Sequence, residues 1–396
     1  MDKEYYVNTF SDQIEDSIED DINQIISTYM QIFKASLSPT DTWAINSSGK
    51  KVNDRTIYTG FGGYLYLYWK LRPVYPSYEI DLRACVDAVK KKYAELDTEI
   101  PTFLIGKVGI SALLAVIEKN PEYVEDVLSN TPDNWEAFEL LYGAVGGLYG
   151  LGFILKHYPE VPQRPQIIAK IQAIANCIIS NKNQDNHLIF NFPPPGGKLY
   201  LGAAHGTIGI LHILMQLREY IPQYDQVIKD SLNLVIDSQF PSGNFPSYPG
   251  NKYDDTVHFC HGAPGAVPML CLAYQIYNEN NYLQAALKAG EDVWRRGLLL
   301  KGNCLCHGSS GNAYSFLALF NATGDQIWLN RALRFAYVMG FHDDYNVAVL
   351  NYDDGQRERI GIADNPYSLM EGVAGSVCFL VDVLNPLTAA FPAYDF

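Results

Sequence analysis

A Gly-x-x-Gly step recurs seven times along this chain of 396 residues, and it constrains the fold more than any other feature. Each step leads into an apolar or aromatic segment, and successive first glycines are 37 to 64 residues apart. An interval of that length holds two helices and their connections. One such step would mean little, but seven in the same context indicate a repeat. The first glycines are Gly60, Gly106, Gly143, Gly206, Gly262, Gly308 and Gly372.

The segments between the steps have a helical period, and sustained strand-like alternation is hard to find. We therefore predict an all-α chain of about fourteen helices. Seven helix pairs can bury their apolar faces by stacking in a row or by closing into a ring. The clearest apolar stripes are Ile22, Ile25, Ile26, Tyr29 and Phe33, and Ile167, Ile171, Ile174 and Ile178.

No stretch of the chain reads as a flexible linker between independent domains. We expect a single domain over residues 1–396, although the length alone would suggest two or three domains. Residues 1–20 would form an N-terminal arm. Residues 192–197, 240–250 and 342–366 are rich in proline, glycine or polar side chains and are predicted surface loops.

The charge balance argues against nucleic acid as a partner, because 44 acidic and 29 basic residues give a net charge of −15. The first residues carry no apolar signal segment, and seven sparse cysteines argue against a disulfide framework. The uncharged stretches 199–217 and 256–278 contain histidines and the second contains prolines, which favours buried helices over membrane spans. We expect a cytoplasmic protein, with a peripheral membrane or nuclear location as alternatives, that is neither secreted nor transmembrane.

Three steps carry additional histidine and cysteine residues, namely His205 before Gly206, Cys260-His261 before Gly262 and Cys306-His307 before Gly308. If equivalent loops meet at one end of a ring, Cys260 approaches the Cys306-His307 pair. Two thiolates and an imidazole suit zinc, and a fourth position left open would make the site catalytic.

Two alternatives stay open for these residues. Cys304 would close a structural site if it supplied a fourth ligand. Cys306 and His307 would act as nucleophile and base without a metal, although adjacent side chains often point apart. The remaining cysteines, Cys85, Cys177, Cys271 and Cys378, are expected to be small buried apolar side chains.

The motifs resemble those of the LanC-like proteins, the eukaryotic relatives of the bacterial lanthipeptide cyclases, over nearly the whole chain. The resemblance implies an (α/α)7 double toroid with inner and outer rings of seven helices each, and zinc held by Cys260, Cys306 and His307. The segments that carry it are Gly-Ala-Ala-His-Gly at 202–206, Phe-Cys-His-Gly-Ala-Pro-Gly at 259–265, Leu-Cys-His-Gly-Ser-Ser-Gly-Asn-Ala-Tyr at 305–314, Ser-Leu-Met-Glu-Gly-Val-Ala-Gly at 368–375 and Phe-Pro-Ala-Tyr at 391–394.

In the bacterial relatives zinc activates a cysteine thiol that adds to dehydroalanine or dehydrobutyrine, and the eukaryotic members bind glutathione. The resemblance thus implies one Zn2+ per chain, glutathione as co-substrate and dehydroamino-acid-containing proteins or peptides as partners. Zinc would deprotonate a glutathione thiol, which is mostly protonated at neutral pH. The alternatives are a zinc- and glutathione-binding scaffold that acts through a signalling protein or peripheral membrane partner, and a carbohydrate enzyme that uses Glu139 with Glu371.

The resemblance also assigns roles around the metal. His205 matches the histidine that protonates the product, with a helix cap or a partner of the zinc site as alternatives. Glu139 matches an aspartate of the bacterial cyclases, and a plain salt bridge or a cap would serve equally. Lys301 matches a lysine that contacts glutathione, and His261 would line the site while His258 is structural.

Two positions depart from the family pattern. Lys3-Glu4 lies where an N-terminal arginine reaches the ligand, so the second cation of the glutathione site has no clear match. Thr256 replaces an arginine of the bacterial cyclases. The second departure makes cyclisation of lanthipeptides doubtful.

Overall fold

The structure, a computed structural model, describes residues 4–15, 17–346 and 365–396. Fourteen α-helices of ten or more residues lie within these residues, which agrees with the predicted number. They are α1 (Ile18–Ser36), α2 (Gly62–Leu71), α3 (Glu79–Lys92), α4 (Lys107–Glu118), α5 (Pro121–Asn130), α6 (Ala144–His157), α7 (Arg164–Ser180), α8 (Thr207–Gln216), α9 (Asp225–Asp237), α10 (Ala263–Tyr277), α11 (Asn280–Arg296), α12 (Ser309–Thr323), α13 (Gln326–Phe341) and α14 (Val373–Val383).

The even-numbered helices form a closed inner ring. Each packs against the next, and α14 packs against α2. Each odd-numbered helix from α3 to α13 packs outside the inner helix that precedes it, while α1 packs outside α14. The fold is therefore the expected all-α double toroid, and the first helix of the chain is the outer partner of the last.

Burial explains the two kinds of helix. The inner helices are buried nearly all round, as in α6, and carry apolar residues on every face. The outer helices are amphipathic, and both predicted apolar stripes are confirmed: Tyr29 is partly buried, and the other residues of the α1 stripe and the α7 isoleucines are buried. The uncharged stretches 199–217 and 256–278 contain α8 and α10. None of the described helices has the length and apolar character needed to cross a bilayer.

Close packing explains why the steps use glycine. In all seven steps, a Cβ atom on the second glycine would overlap the carbonyl oxygen of the residue six positions earlier, as for Gly109 against Phe103 and Gly311 against Leu305. The loop before each inner helix thus folds back tightly onto the start of that helix. Only Gly262 among the step glycines has a positive φ, at 124°.

Two small antiparallel hairpins were not predicted. Strand β1 (Ala44–Ile45) pairs with β2 (Lys51–Val52), and β3 (Asn191–Phe192) pairs with β4 (Lys198–Leu199). Strands of two residues are too short to display alternation in a sequence. The predicted loop at 192–197 forms the turn of the second hairpin, and 240–250 contains neither helix nor strand. Residues 343–346 of the predicted loop at 342–366 are helical, which was not predicted from the sequence, and most of the remainder lies outside the described residues.

The described part of the N-terminal arm lies on the body of the protein. Tyr6 donates its backbone N–H to Leu298 over 2.7 Å, and Leu300 donates to Glu4 over 2.9 Å. Farther along, Arg334 on α13 donates to the backbone of Ser11 and to the carboxylate of Glu15. The arm thereby brings Glu4 next to the loop that precedes α12.

Candidate active site

The seven loops before the inner helices are joined by main-chain hydrogen bonds that run in one direction around the ring. In five of these hydrogen bonds, the donor residue and the acceptor residue each lie two positions before the first glycine of their own Gly-x-x-Gly step. We call this set the main-chain girdle. Its bonds, with N···O distances, are Ala204 to Cys260 (3.3 Å), Cys260 to Cys306 (3.2 Å), Cys306 to Met370 (2.8 Å), Met370 to Tyr58 (3.0 Å), Tyr58 to Leu104 (3.0 Å), and, at shifted positions, Leu140 to Ala204 (3.2 Å) and Phe103 to Gly146 (3.1 Å).

The girdle places the two predicted zinc cysteines side by side, because Cys260 and Cys306 occupy the same position in neighbouring repeats. The residue that directly precedes each first glycine is at least partly exposed and lies between buried neighbours on most loops. We call these seven residues the rim. They are Thr59, Ile105, Tyr142, His205, His261, His307 and Glu371. Three histidines are therefore consecutive on the rim.

Cys260, Cys306 and His307 are brought together as predicted. The Cys306 thiol is in hydrogen-bonding contact with both other side chains. The bond to Cys260 and burial raise the pKa of Cys306 well above its usual value, while His307 acts in the opposite direction. Tyr58 also donates its hydroxyl to the Cys306 sulfur over 3.0 Å, a contact that sequence reasoning missed.

The donor set fits zinc by its chemistry, since two sulfurs and an imidazole nitrogen are preferred zinc ligands. In the part of the chain that the structure describes, no group of three or more His, Cys, Asp or Glu side chains has the spacing of a metal site. Zinc therefore stays a prediction that the composition of this cluster supports.

The two alternatives for the cysteines can now be compared with the geometry. The expectation that Cys306 and His307 point apart is wrong, since their side chains contact each other. However, a thiol with a raised pKa is a weak nucleophile at neutral pH, so this pair is poorly suited to act without a cation. Cys304 is buried near Tyr345. Burial raises the pKa of the Tyr345 hydroxyl, and the nearby Tyr29 and Cys304 side chains raise it further.

Three of the four remaining cysteines are buried as expected. All seven cysteines of the chain are free thiols. Cys85, Cys271 and Cys378 are buried, and Cys177 is partly buried.

His205 and Glu139 form a pair on neighbouring loops. The His205 Nδ1 atom lies 2.7 Å from the Glu139 Oε2 atom. The Glu139 side chain is 2% exposed, whereas the His205 side chain is 23% exposed, so the histidine alone reaches solvent. A buried carboxylate at Nδ1 holds that nitrogen as a donor and leaves Nε2 for proton transfer.

Glu139 also shapes its own loop. Its carboxylate accepts the backbone N–H groups of Leu141 and Tyr142. Those amides are then satisfied locally, and Leu140 takes the place in the girdle that Leu141 would have by analogy. The structure thus shows the ion-pair alternative for Glu139, whose carboxylate also closes a turn of its own loop but does not cap α6, since α6 begins after Gly143 without a side-chain cap. His205 is not a helix cap, because α8 begins after Gly206 without a side-chain cap.

An aromatic side chain from the second hairpin covers the histidine. The Phe192 ring stacks on His205 with a centroid distance of 4.6 Å and an interplanar angle of 7°. Tyr142 on the rim is parallel to both rings and 41% exposed. Tyr200 lies 5.3 Å from the His261 ring and closes the wall between the two histidines. No sequence signal identified Phe192, because its hairpin was not predicted.

His261 lies on the rim between His205 and His307. Burial, together with His205 and His258, lowers the pKa of His261 to about 4. Its Nδ1 atom has no hydrogen-bond partner among the described residues. A Cβ atom at Gly202 would collide with the His261 ring, so this glycine provides the space for it. His258 is buried, and its Nε2 atom lies 3.3 Å from Glu4.

Lys301 lies beside an acidic residue rather than a second cation. Its Nζ atom is 3.6 Å from the Glu4 Oε1 atom. The close contact with His258 and the charge of Lys301 lower the pKa of Glu4, against the effect of burial. Glu4 therefore carries a negative charge at neutral pH. Lys3 lies outside the described residues.

Glu139 and Glu371 are not equivalent carboxylates. Glu139 is buried and bound to His205 and to its own loop. Glu371 lies on the rim and accepts from Asn365 over 2.7 Å. A buried, fully engaged carboxylate is poorly placed to protonate a glycosidic oxygen, so the carbohydrate alternative loses its predicted pair.

The profile of the family described as "Lanthionine synthetase C-like protein" matches residues 51–396. The chain belongs to this LanC-like family. A LanC-like relative named "Glutathione S-transferase LANCL1", from Danio rerio, is 35% identical over 393 residues, which cover 92% of this chain and 92% of the relative. The "LanC-like protein GCL1" of Arabidopsis thaliana is 29% identical over 89% of this chain and 84% of its own length.

A solved LanC-like structure has the same fold. The structure named "Nisin cyclase" superposes with a TM-score of 0.57 and covers 93% of this chain and 94% of its own. The two sequences are 13% identical. The comparison therefore establishes the common toroid of this LanC-like chain and the cyclase.

Proposed function

We propose that this LanC-like protein is a zinc-dependent enzyme that adds the thiol of glutathione to dehydroalanine or dehydrobutyrine residues in proteins or peptides. The observation that carries the proposal is the His205–Glu139 pair, 2.7 Å apart, in which His205 lies on the loop next to that of Cys260. A site that only binds glutathione has no use for a partly exposed histidine oriented by a buried carboxylate. The name of the Danio rerio relative, a glutathione S-transferase, supports the same class of reaction.

Cys260, Cys306 and His307 are the residues that would hold Zn2+. When bound, zinc would supply the charge that favours the thiolate form of glutathione and keeps its sulfur nucleophilic. The girdle bond between the two cysteines fixes their main chains at 3.2 Å (N···O), so little ordering would be needed for binding. Tyr58 donates to the Cys306 sulfur and would orient this ligand.

His205 would supply the proton that completes the addition. The carbon–sulfur bond forms at the β-carbon, and the double bond opens to an enolate that needs one proton at the α-carbon. Protonated Nε2 of His205 gives that proton, while Glu139 stabilises the imidazolium through Nδ1. The S–H proton of glutathione is released in the same reaction, so the protons balance without an oxidant or reductant.

Lys301 would bind one of the glutathione carboxylates, and His261 would line the pocket. Because Glu4 lies 3.6 Å from Lys301, the ligand must compete with this acidic side chain. The free thiols of all seven cysteines support a reducing compartment such as the cytoplasm.

The test mixes purified protein, glutathione and a dehydrobutyrine-containing peptide, and follows the peptide mass while bound zinc is counted. The wild type is expected to add one glutathione per dehydrobutyrine well above the spontaneous rate. Cys306→Ala should lose zinc and activity, and His205→Ala should keep zinc but lose activity. Cys271→Ala, which removes a buried cysteine from α10, is the matched control and should retain both.

Two results would contradict the proposal. If zinc is bound at one per chain but no variant differs from the spontaneous rate, the pocket binds without catalysis, as the scaffold alternative predicts. If His205→Ala turns over like the wild type, the histidine has no part in the chemistry.

A further inference from the structure

The last seven residues of the sequence, 390–396, lie inside the inner ring of helices, and we call them the core segment. Tyr149 on α6 donates to the backbone of Asp395 over 2.9 Å. Tyr314 on α12 packs against Phe391 with a centroid distance of 4.8 Å. Because the segment contacts inner helices on opposite sides of the toroid, it fills the centre of the ring.

The core segment contacts the loop of Cys260 directly. The Phe391 ring stacks on Phe259 with a centroid distance of 4.0 Å and an interplanar angle of 21°. Tyr394 packs edge-on against the same ring at 4.9 Å. Phe259 is 2% exposed and directly precedes Cys260. The aromatic pair therefore supports this loop from inside the ring.

A second contact fixes the other end of the loop. The Tyr394 hydroxyl donates to the carbonyl oxygen of Gly265 over 2.9 Å. Gly265 is the second glycine of the step that begins at Gly262. The core segment thus holds the residue before Cys260 and the first turn of α10 at the same time.

Polar contacts anchor the core segment itself. The His212 Nε2 atom lies 2.6 Å from Asp395 Oδ1, and Phe391 donates its backbone N–H to the other carboxylate oxygen over 3.0 Å. Gln216 donates to the backbone of Tyr394 over 2.8 Å and accepts from Phe396 over 2.9 Å. Buried groups satisfied in this way keep the segment in one position.

We infer that the core segment is a positioning element for the zinc site, acting on Cys260 through Phe259. The girdle fixes the main chain of Cys260 on the side of Cys306, and the core segment supports the same loop from inside the inner ring. Removal of the Phe391 ring leaves space under Phe259, and the loop then loses its support from inside the ring. The inference rests on the proposed zinc site.

The test compares Phe391→Ala with Phe33→Ala, which removes a buried ring of similar size from α1. Zinc affinity is measured by competition with a chromophoric chelator, and the melting temperature is measured in parallel. Phe391→Ala is expected to weaken zinc binding by about 10-fold, in the range found for groups that orient metal ligands. Phe33→Ala should lower the melting temperature without changing zinc affinity by more than about twofold.

Two conservative variants keep the test informative if Phe391→Ala does not fold. Phe391→Leu should recover most of the affinity, since it refills the space. Tyr394→Phe keeps the ring and removes only the bond to Gly265, so it should weaken zinc binding less than Phe391→Ala. Equal loss of affinity in Phe391→Ala and Phe33→Ala, or no loss in any core-segment variant, would overturn the inference.

The outcome is separable from that of the proposed function. A wild type that binds zinc but does not add glutathione disproves the function, and the zinc affinities still decide the inference. For a wild type that binds no zinc, hydrogen exchange of residues 256–262 is compared between Phe391→Ala and Phe33→Ala. Faster exchange in Phe391→Ala alone supports positioning by the core segment, and equal exchange rejects it.

Discussion

The backbone N–H of Cys260 donates to the carbonyl oxygen of Cys306 over 3.2 Å, although the two cysteines belong to different repeats. The bond belongs to the main-chain girdle, in which equivalent residues of successive loops are neighbours. A ligand set divided between repeats can therefore assemble without any long-range signal beyond the repeat itself. Cys260 on one loop, and Cys306 with His307 on the next, need only the correct position relative to the glycines of their own step.

Glu139→Gln is expected to lower kcat by about 10- to 100-fold, because the neutral amide stabilises the His205 imidazolium less well. Zinc content and the KM for glutathione should change little, since the hydrogen bonds of Glu139 in the described residues go to its own loop and to His205, not to Cys260 or Cys306. Initial rates with the dehydrobutyrine peptide and a zinc count test this. Glu136→Gln, exposed on the same loop, is the control, and an unchanged kcat in Glu139→Gln would contradict the assigned role.

Lys301 and Glu4 should act on glutathione binding with opposite signs. Lys301→Ala is expected to raise the KM for glutathione and Glu4→Gln to lower it, each by about two- to fivefold, since the pair is partly exposed. The kcat should stay nearly constant in both. Steady-state kinetics test this, with Lys288→Ala, which removes an exposed lysine from α11, as the control. A rise in the KM for glutathione in both Lys301→Ala and Glu4→Gln would contradict the opposite signs.

Gly311→Ala should destabilise the loop that carries Cys306 and His307. The added Cβ atom would overlap the carbonyl oxygen of Leu305, so the free energy of unfolding should fall by more than about 2 kcal/mol. Denaturant unfolding measures this. In Gly150→Ala, the control, the Cβ atom meets a Val108 methyl group at 3.0 Å, and the expected change is below about 1 kcal/mol. Equal stability of both variants would contradict the close-packing explanation.

His157 should make stability depend on pH. It lies at the end of α6 against Trp69 and Phe153, and burial, with the charge of Lys156, lowers the pKa of its imidazole from 6.5 to about 4. Between these values the unfolded chain binds a proton that the native protein does not. The stabilisation from neutral His157 is therefore complete above pH 6.5 and is lost as the pH falls to about 4.

Denaturant unfolding between pH 4.5 and pH 7.5, roughly the range in which the histidine titrates, measures this dependence. His157→Phe should flatten the decline in stability toward acid pH, because it removes the titrating group and keeps a ring against Trp69. The same pH dependence in His157→Phe and the wild type would contradict the assignment.

The repeat could be recognised from the sequence because each loop packs closely against the start of its own helix, and only glycine fits there. Cys260, Cys306 and His307 could be predicted to meet for the same reason, since their positions relative to the glycines are alike. Tyr58 could not be found in this way, because its contact with Cys306 joins the first and sixth repeats, which the seventh repeat separates on the ring.

Phe192 and Phe391 escaped prediction for other reasons. Phe192 lies on a strand of two residues, which has no period to detect. Phe391 was noticed only as part of a matching motif, and its contact with Phe259 depends on how the end of the sequence enters the ring. Such contacts are set by the closed geometry and not by local propensity.

The packing of α14 against α2, which closes the inner ring, has a consequence for the way this chain is made and degraded. An open array of repeats can lose its terminal unit and keep the remainder folded. In a closed ring, an incomplete chain leaves a gap between inner helices, and the loops on either side of the gap lose a neighbour. A nascent or clipped chain that lacks one repeat would thus be expected to lose the main-chain girdle bonds on both sides of the gap.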